Sequence, residues 1–127
     1  MSQGPETTSQ AATVMSGGLG AAIPLAKARR APIPAGQRSA PLFRHGTLLL
    51  RFYQPQGVDE QTPHGQDEIY VIASGEGTLV VGNERTPVNA GDALFVAADA
   101  EHRFEDFTDD FAAWVMFYGP DGGERAH

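Results

Sequence analysis

Residues 62–76, TPHGQDEIYVIASGE, decide the fold. The run EIYVIAS is apolar on both faces, which is typical of a strand in the middle of a sandwich or barrel. If residues 62–64 end one strand and residues 68–74 form the next, the short connection between them can point His64 and Glu68 at one interior spot. The stretch therefore indicates either a metal site built across a strand turn or a polar loop that enters a core strand.

The rest of the chain after about residue 42 also has β character. Short apolar segments are separated by Gly, Asn and Asp turns, a pattern that favours an antiparallel sandwich or small barrel. We predict an all-β domain over residues 42–119. Its expected strands cover residues 46–54, 68–74, 77–82, 86–88, 93–97, 102–106 and 111–119.

The N-terminal third has a different composition. Residues 1–20 are small, polar and rich in Gly and Ser, and we expect a flexible tail. Residues 21–41 contain four prolines, which disfavour a helix and favour an extended arm. Residues 120–127 are expected to form a C-terminal tail.

Charge is divided unevenly along the chain. Residues 1–51 carry six Lys and Arg against one acid, whereas residues 52–127 carry three Arg against fifteen acids. The basic arm can therefore lie on an acidic body, its own or a partner subunit's. The alternative is two unrelated solvated surfaces.

Composition excludes several function classes. The net charge of −7 argues against nucleic acid as the main partner. No stretch approaches the length needed to span a bilayer, and no secretory signal pattern begins the chain. The absence of cysteine excludes disulfides, thiolate metal ligands and a cysteine nucleophile, and it fits a cytoplasmic protein.

His102 is the third residue of interest for chemistry. Together with His64 and Glu68 it can form a set of two histidines and one carboxylate inside a barrel. Such a set suits a divalent transition metal (Fe, Mn, Ni or Zn) and leaves coordination positions open for substrate or O₂. Alone, each histidine is more typical of a surface or hydrogen-bonded residue.

The combination resembles the cupin superfamily. Its first motif is matched by Gly57, His64, Glu68 and Gly75, and its second by Gly91 and His102. The resemblance covers about residues 42–118 and is to the small single-domain members. It implies a double-stranded β-helix, or jelly-roll barrel, in which His64, Glu68 and His102 are metal ligands.

Departures from the pattern fall at functional positions. Thr62 occupies the place of the first motif histidine, Ala97 and Asp99 replace a proline and a glycine, and Asp106 replaces an asparagine. A threonine hydroxyl is a poor ligand for late transition metals. Either three protein ligands and water complete the site, or a neighbour does so. The neighbours with oxygen donors are Glu60, which we rank first, Gln61 and Gln66.

The resemblance implies a metal-dependent enzyme, a dioxygenase or an isomerase, that acts on a small oxygen-bearing substrate. Glu60, if it is not a ligand, is the candidate acid or base. Tyr70, on the strand face of Glu68, is the second candidate catalytic residue. The alternatives are a cupin that binds a small molecule without metal, and a subunit whose barrel serves assembly.

Further expectations concern the surroundings of the site and the oligomer. We expect Asp67 or Asp106 to orient an imidazole. Arg51 or Arg103 inside the barrel would indicate an anionic substrate, although a surface position is commoner for arginine. The resemblance also implies a homodimer, for which exchange of the N-terminal arm between subunits is one route.

Overall fold

The computed structural model describes residues 15–16 and 19–125, with side chains from residue 19. It has one helix, α1 (Leu25–Arg30), within this part of the chain. The strands there are β1 (Met15–Ser16), β2 (Ala40–His45), β3 (Leu48–Tyr53), β4 (Asp67–Ser74), β5 (Glu76–Val81), β6 (Glu84–Asn89), β7 (Ala93–Val96), β8 (His102–Glu105) and β9 (Ala112–Tyr118). The predicted all-β jelly-roll class is confirmed.

Two sheets make up the fold. The larger has the order β1-β2-β3-β9-β4-β7, and the smaller has the order β6-β5-β8. All pairs are antiparallel except β1 with β2. Because β4 pairs with β9 on one side and with β7 on the other, the register of this strand is fixed from both sides.

The main core lies between the two sheets. Side chains alternate along β4, so that Glu68, Tyr70 and Ile72 point inward and are almost fully buried. Tyr70 and Ile72 pack in one cluster with apolar residues of both sheets, among them Val115 on β9 and Phe104 on β8. A carboxylate and a phenol therefore enter the core on the same strand face as an isoleucine.

A second apolar cluster covers part of the outer face of the larger sheet. Ala28 of α1 packs there with Leu42, Phe52 and Ala112, and the Trp114 ring meets Phe52 edge-on at 5.1 Å. The prediction of an extended arm is wrong over α1. Six consecutive residues between Pro24 and Ala31 are free of proline and include the good helix formers Leu, Ala, Lys and Arg. Helix α1 thus lies on its own chain's sheet through apolar contacts and through Arg29, whose guanidinium donates to Ser74 Oγ at 3.0 Å.

The strand predictions differ from the structure chiefly near the N-terminus. A strand at Ala40–His45 precedes the first one predicted, and the backbone of Met15–Ser16 pairs with it inside the predicted tail. The rest of that tail up to residue 18 lies outside the described residues, as do residues 126–127. In the described part of the C-terminal tail, the Glu124 N–H donates to Asp67 Oδ2 at 2.8 Å, so the tail folds back onto the start of β4.

Candidate metal centre

Three side chains from two segments of the chain converge at one end of the core. His64, Glu68 and His102 each offer one ligand atom, and these atoms lie within 4.8 Å of one another. His102 Nε2 is 2.7 Å from Glu68 Oε1, and His64 Nε2 is 3.9 Å from Glu68 Oε2. The three residues predicted as ligands are therefore brought together.

Different elements position the three groups. Glu68 is the second residue of β4, and His102 is the first residue of β8. His64 lies in the loop before β4, where its carbonyl accepts a hydrogen bond from the Asp99 N–H at 2.6 Å. Its ring packs edge-on against Phe117, with 4.7 Å between centroids. Two of the candidate groups thus come from strands and one from a loop tied to the turn before β8.

The Glu68 carboxylate is buried without a hydrogen-bond partner. The Glu68 side chain is only 1% exposed, and within the described part of the chain neither of its oxygens accepts a hydrogen bond. The 2.7 Å approach of His102 Nε2 is not aligned as a hydrogen bond, and it is an ion pair only when the imidazole is protonated. A buried carboxylate that accepts no hydrogen bond is costly. A cation between this group and the two imidazoles would compensate it, so the donor set fits a divalent metal.

Hydrogen bonding fixes the orientation of His102. Its Nδ1 lies 2.8 Å from the Ala100 carbonyl, which can only accept, so Nδ1 carries the proton and Nε2 faces Glu68. Burial lowers the pKa of His102, but the Glu68 carboxylate and the Ala100 carbonyl outweigh it and raise that pKa above its ordinary value. Burial is the largest influence on His64 and lowers its pKa, although Glu68 opposes this.

The expectation that Asp67 or Asp106 orients an imidazole is wrong. Asp67 accepts hydrogen bonds from the Ala98 and Glu124 N–H groups, which hold the pKa of its carboxyl below the usual range. Asp106 is exposed and pairs with Arg85 at 3.3 Å. A backbone carbonyl, that of Ala100, orients His102 instead.

Tyr70 lies directly beside the cluster. Its hydroxyl is 3.0 Å from His102 Nε2 and donates to Gln61 Oε1 at 3.0 Å. Burial, followed by the negative charge of Glu68, raises the pKa of Tyr70 well above its ordinary value. The phenol therefore holds its proton at the edge of the candidate centre.

Glu60 is not brought to the cluster. Its side chain is 66% exposed and contacts Arg38 at 3.0 Å. Gln66 donates to the Gly119 carbonyl at 2.8 Å and so has a structural role. Of the three proposed neighbours, Gln61 alone contacts a residue of the site, through Tyr70.

Sequence reasoning missed Asp59, which anchors the loop that carries Gln61 and His64. This buried carboxylate accepts hydrogen bonds from the Gln61 backbone and side-chain N–H groups at 3.1 and 2.7 Å and from the Phe104 N–H at 2.8 Å. The Tyr53 hydroxyl also donates to it. No local pattern marks Asp59, since its partners lie on β3, on β8 and in the loop itself.

An open cavity of about 450 Å³ begins at His64. Side chains of β3, β9 and the loop line it, and Thr62, in place of the motif histidine, is on its exposed wall. Arg51 is part of this lining, whereas Arg103 is exposed and pairs with Glu105 outside it. The cavity thus meets the candidate centre at His64 and has a cationic residue in its wall.

Comparison with known proteins gives a family match over the same region. The family model described as Cupin domain matches residues 49–118. An uncharacterized protein of Streptomyces coelicolor is 38% identical over 63 residues, which are 50% of this chain and 60% of that protein. The chain thus matches less than two thirds of the length of this curated relative. No helix in the described residues has the length and apolar character needed to cross a membrane.

Solved structures show the same fold. A protein of Neisseria meningitidis gives a TM-score of 0.61 at 15% identity over 78% of this chain and 100% of that one. The EutQ protein of Clostridium difficile gives 0.54 at 15% identity, over 66% and 67% of the two chains. A cupin-2 domain containing protein of Shewanella frigidimarina gives 0.53 at 11% identity, over 64% and 79%. At these identities the likeness concerns the fold alone.

Proposed function

The chain belongs to the cupin domain family, and from that premise we propose that it is a metal-dependent enzyme acting on a small oxygen-bearing organic molecule. His64, Glu68 and His102 would hold the metal. One observation carries the proposal: the buried Glu68 carboxylate has no hydrogen-bond partner in the described residues, and two imidazole nitrogens face it.

The donor set suits Fe, Mn, Ni or Zn in the divalent state, because it combines two nitrogens with one carboxylate. A bound ion of this kind would supply Lewis acidity toward a substrate oxygen, or a binding position for O₂. Thr62 is exposed and offers no strong donor, so the protein would contribute three ligands. Both a dioxygenase and an isomerase are compatible with such a site.

Tyr70 is the catalytic residue that we propose beside the ligands. Its O–H donates to Gln61 Oε1, and its Oη lies 3.0 Å from His102 Nε2 at the border of the cluster. By turning its O–H from Gln61 to a bound substrate, the phenol can donate a hydrogen bond to a substrate oxygen. Glu60 has no part in this proposal, since its carboxylate faces Arg38 at the surface.

Metal binding tests the proposal. We expect protein purified without added metal to contain a first-row transition metal in elemental analysis, and the EDTA-treated protein to gain thermal stability from added Fe, Mn, Ni or Zn. His64→Ala and His102→Ala should each weaken metal affinity more than about 100-fold, because mutation of residues that merely support ligands already costs 10–100-fold.

His45→Ala is the matched control, since His45 is exposed at the end of β2 and outside the cluster. It should leave metal content and melting temperature unchanged. A wild-type protein that binds none of the four metals would contradict the proposal and favour a cupin that binds small molecules without metal. O₂ uptake with keto acids, thiols and phenols separates the dioxygenase from the isomerase.

We further propose a cytoplasmic homodimer that forms through the outer face of the larger sheet. One row of apolar residues crosses four strands in register, and it consists of Leu50, Met116, Ile69 and Phe95. Helix α1 covers the neighbouring row at Phe52 and Trp114, but Phe95 remains 57% exposed. A second copy would bury this row.

Solution mass tests the dimer. Phe95→Glu should convert it to a monomer in light scattering, because the substitution places a charge in the apolar row. Val58→Glu is the control, because Val58 is 67% exposed in a loop. A monomeric wild type, or a dimer that Phe95→Glu leaves intact, would contradict this interface.

A further inference from the structure

Arg51 lies on the inner face of the larger sheet and not on its surface. It alternates on β3 with Leu50 and Phe52, which face outward, and it stands opposite Val115 of β9. Its side chain lines the same cavity as His64. A cation in the wall of a cavity that leads to a candidate metal centre requires an explanation, because burial of a charge is costly.

Three hydrogen bonds to neutral acceptors hold the Arg51 guanidinium in place. Nε donates to Ser39 Oγ at 2.6 Å, and Nη2 donates to the Ser39 carbonyl at 2.8 Å and to Gln37 Oε1. A guanidinium has five N–H donors. Within the described part of the chain, the two donors on Nη1 have no protein hydrogen-bond partner, so the group is fixed and keeps two donors for a ligand or solvent.

Arg51 also lacks a counter-ion among the described residues. Arg38, Arg85 and Arg103 each contact a carboxylate within 4.0 Å, but no such contact is present at Arg51. Burial, together with the positive charge of Arg44, lowers the pKa of the Arg51 guanidinium. The half-buried charge is thus held without the partner that would stabilise it.

Arg51 also lies beside the candidate centre. Its side chain and that of His64 line the same cavity, so a ligand held by Arg51 would be next to the loop histidine. Two other charged residues line the cavity: Arg38, which Glu60 neutralises, and Asp121, which lies near Gly65. Arg51 therefore remains the cation available to a ligand inside the cavity.

We propose that Arg51 binds the carboxylate group of a small organic acid, with the rest of that molecule directed toward His64, Glu68 and His102. This inference rests on the proposed function and gives its substrate class. Arginine suits the task because its planar donors match two carboxylate oxygens. A cavity of about 450 Å³ is in the range that small ligands occupy.

Calorimetry with carboxylates and their uncharged amides tests the site. The probes are malonate and benzoate against malonamide and benzamide, each titrated into EDTA-treated and Mn(II)-loaded protein. We expect the carboxylates to bind and the amides not to bind. Arg51→Gln should weaken carboxylate binding roughly 10- to 100-fold, since a hydrogen bond to a charged group is lost together with the charge. It should leave Mn(II) affinity unchanged.

Two further variants keep the test independent of folding defects. Gln37→Glu retains Arg51 but gives it an internal counter-ion at the position of the Gln37 amide. It should therefore weaken carboxylate binding as much as Arg51→Gln does. Arg103→Gln removes an exposed arginine outside the cavity and should have no effect.

The proposal is overturned if wild type binds neither carboxylate in either form, if the amides bind equally well, or if Arg51→Gln and Gln37→Glu bind the carboxylates as wild type does. Arg51-dependent binding to a protein that takes up no Mn(II), Fe, Ni or Zn would support the carboxylate site while refuting the metal-dependent enzyme. Metal binding together with carboxylate binding that does not depend on Arg51 would support the metal-dependent enzyme and refute the carboxylate site at Arg51.

Discussion

The candidate centre is made of two halves that differ in how they are held. Glu68, Tyr70 and His102 form the strand half, and all three are buried on β4 and β8. Gln61, Thr62 and His64 form the loop half, in which the His64 side chain is still 37% exposed. Ladder hydrogen bonds and core packing fix the first half, whereas a few side-chain and turn contacts fix the second.

The two halves therefore have different roles in the site. The strand half supplies a buried carboxylate and an oriented imidazole whose positions change little, because its neighbours in β7, β8 and β9 are part of the core. The loop half lines the cavity beside the site. Two contacts with the region of β8 hold its position: Asp59 accepts a hydrogen bond from the Phe104 N–H, and the Asp99 N–H donates to the His64 carbonyl. Each can be tested by substitution.

Asp59→Asn is expected to have the larger effect on the loop half. The Asp59 carboxylate accepts four hydrogen bonds, and an asparagine amide would direct N–H groups at some of the same donors. We expect the free energy of unfolding of metal-free protein to fall by about 2–4 kcal/mol in urea denaturation. Because Gln61 then loses its anchor, hydrogen exchange in residues 60–66 should accelerate more than in β4.

Asp109→Asn is the matched control, since Asp109 is exposed, and it should change stability by less than about 0.5 kcal/mol. If Asp59→Asn is equally mild, the loop half does not depend on Asp59. If exchange accelerates equally in β4, the two halves are one cooperative unit and the distinction between them is wrong.

The strand half was predictable from sequence because local rules determine it. The apolar run of β4 and the period of two placed Glu68 and Tyr70 on the same inner face, as observed. Gly75 ends this strand with a φ of +78°, and a Cβ there would lie 2.8 Å from Phe111 Cα, so the motif glycine has a steric cause. His102 followed from the resemblance to the family motif.

The loop half was less predictable because contacts remote in sequence determine it. In a strand, every second side chain points to the same face, so Glu60 and His64 would have pointed the same way, and Glu60 was therefore ranked first. Residues 60–66 form a loop, however, in which this alternation does not hold. Arg38 draws the Glu60 carboxylate to the surface instead. The inward position of Arg51 could not be distinguished from a surface position, because its partners Ser39 and Gln37 come from an arm without a strand pattern.

Asp99→Gly is the gentler substitution, and it tests whether the turn before β8 holds the loop through its backbone alone. Asp99 has a φ of 65°, in the left-handed region where aspartate is among the better tolerated residues after glycine. It thus adopts a conformation that suits the glycine of the family pattern, and its exposed side chain makes no hydrogen bond among the described residues. Its N–H still donates to the His64 carbonyl at 2.6 Å.

Relief of backbone strain and the greater chain entropy of unfolded glycine oppose each other in Asp99→Gly, so stability should change by less than about 1 kcal/mol. Asp99→Ala is the companion variant and should destabilise the protein by about 1 kcal/mol, because alanine is disfavoured at this φ. Metal affinity should be unchanged in Asp99→Gly, since the bond to His64 needs only the backbone. A large loss of metal affinity in that variant would show that the Asp99 side chain itself positions the loop half.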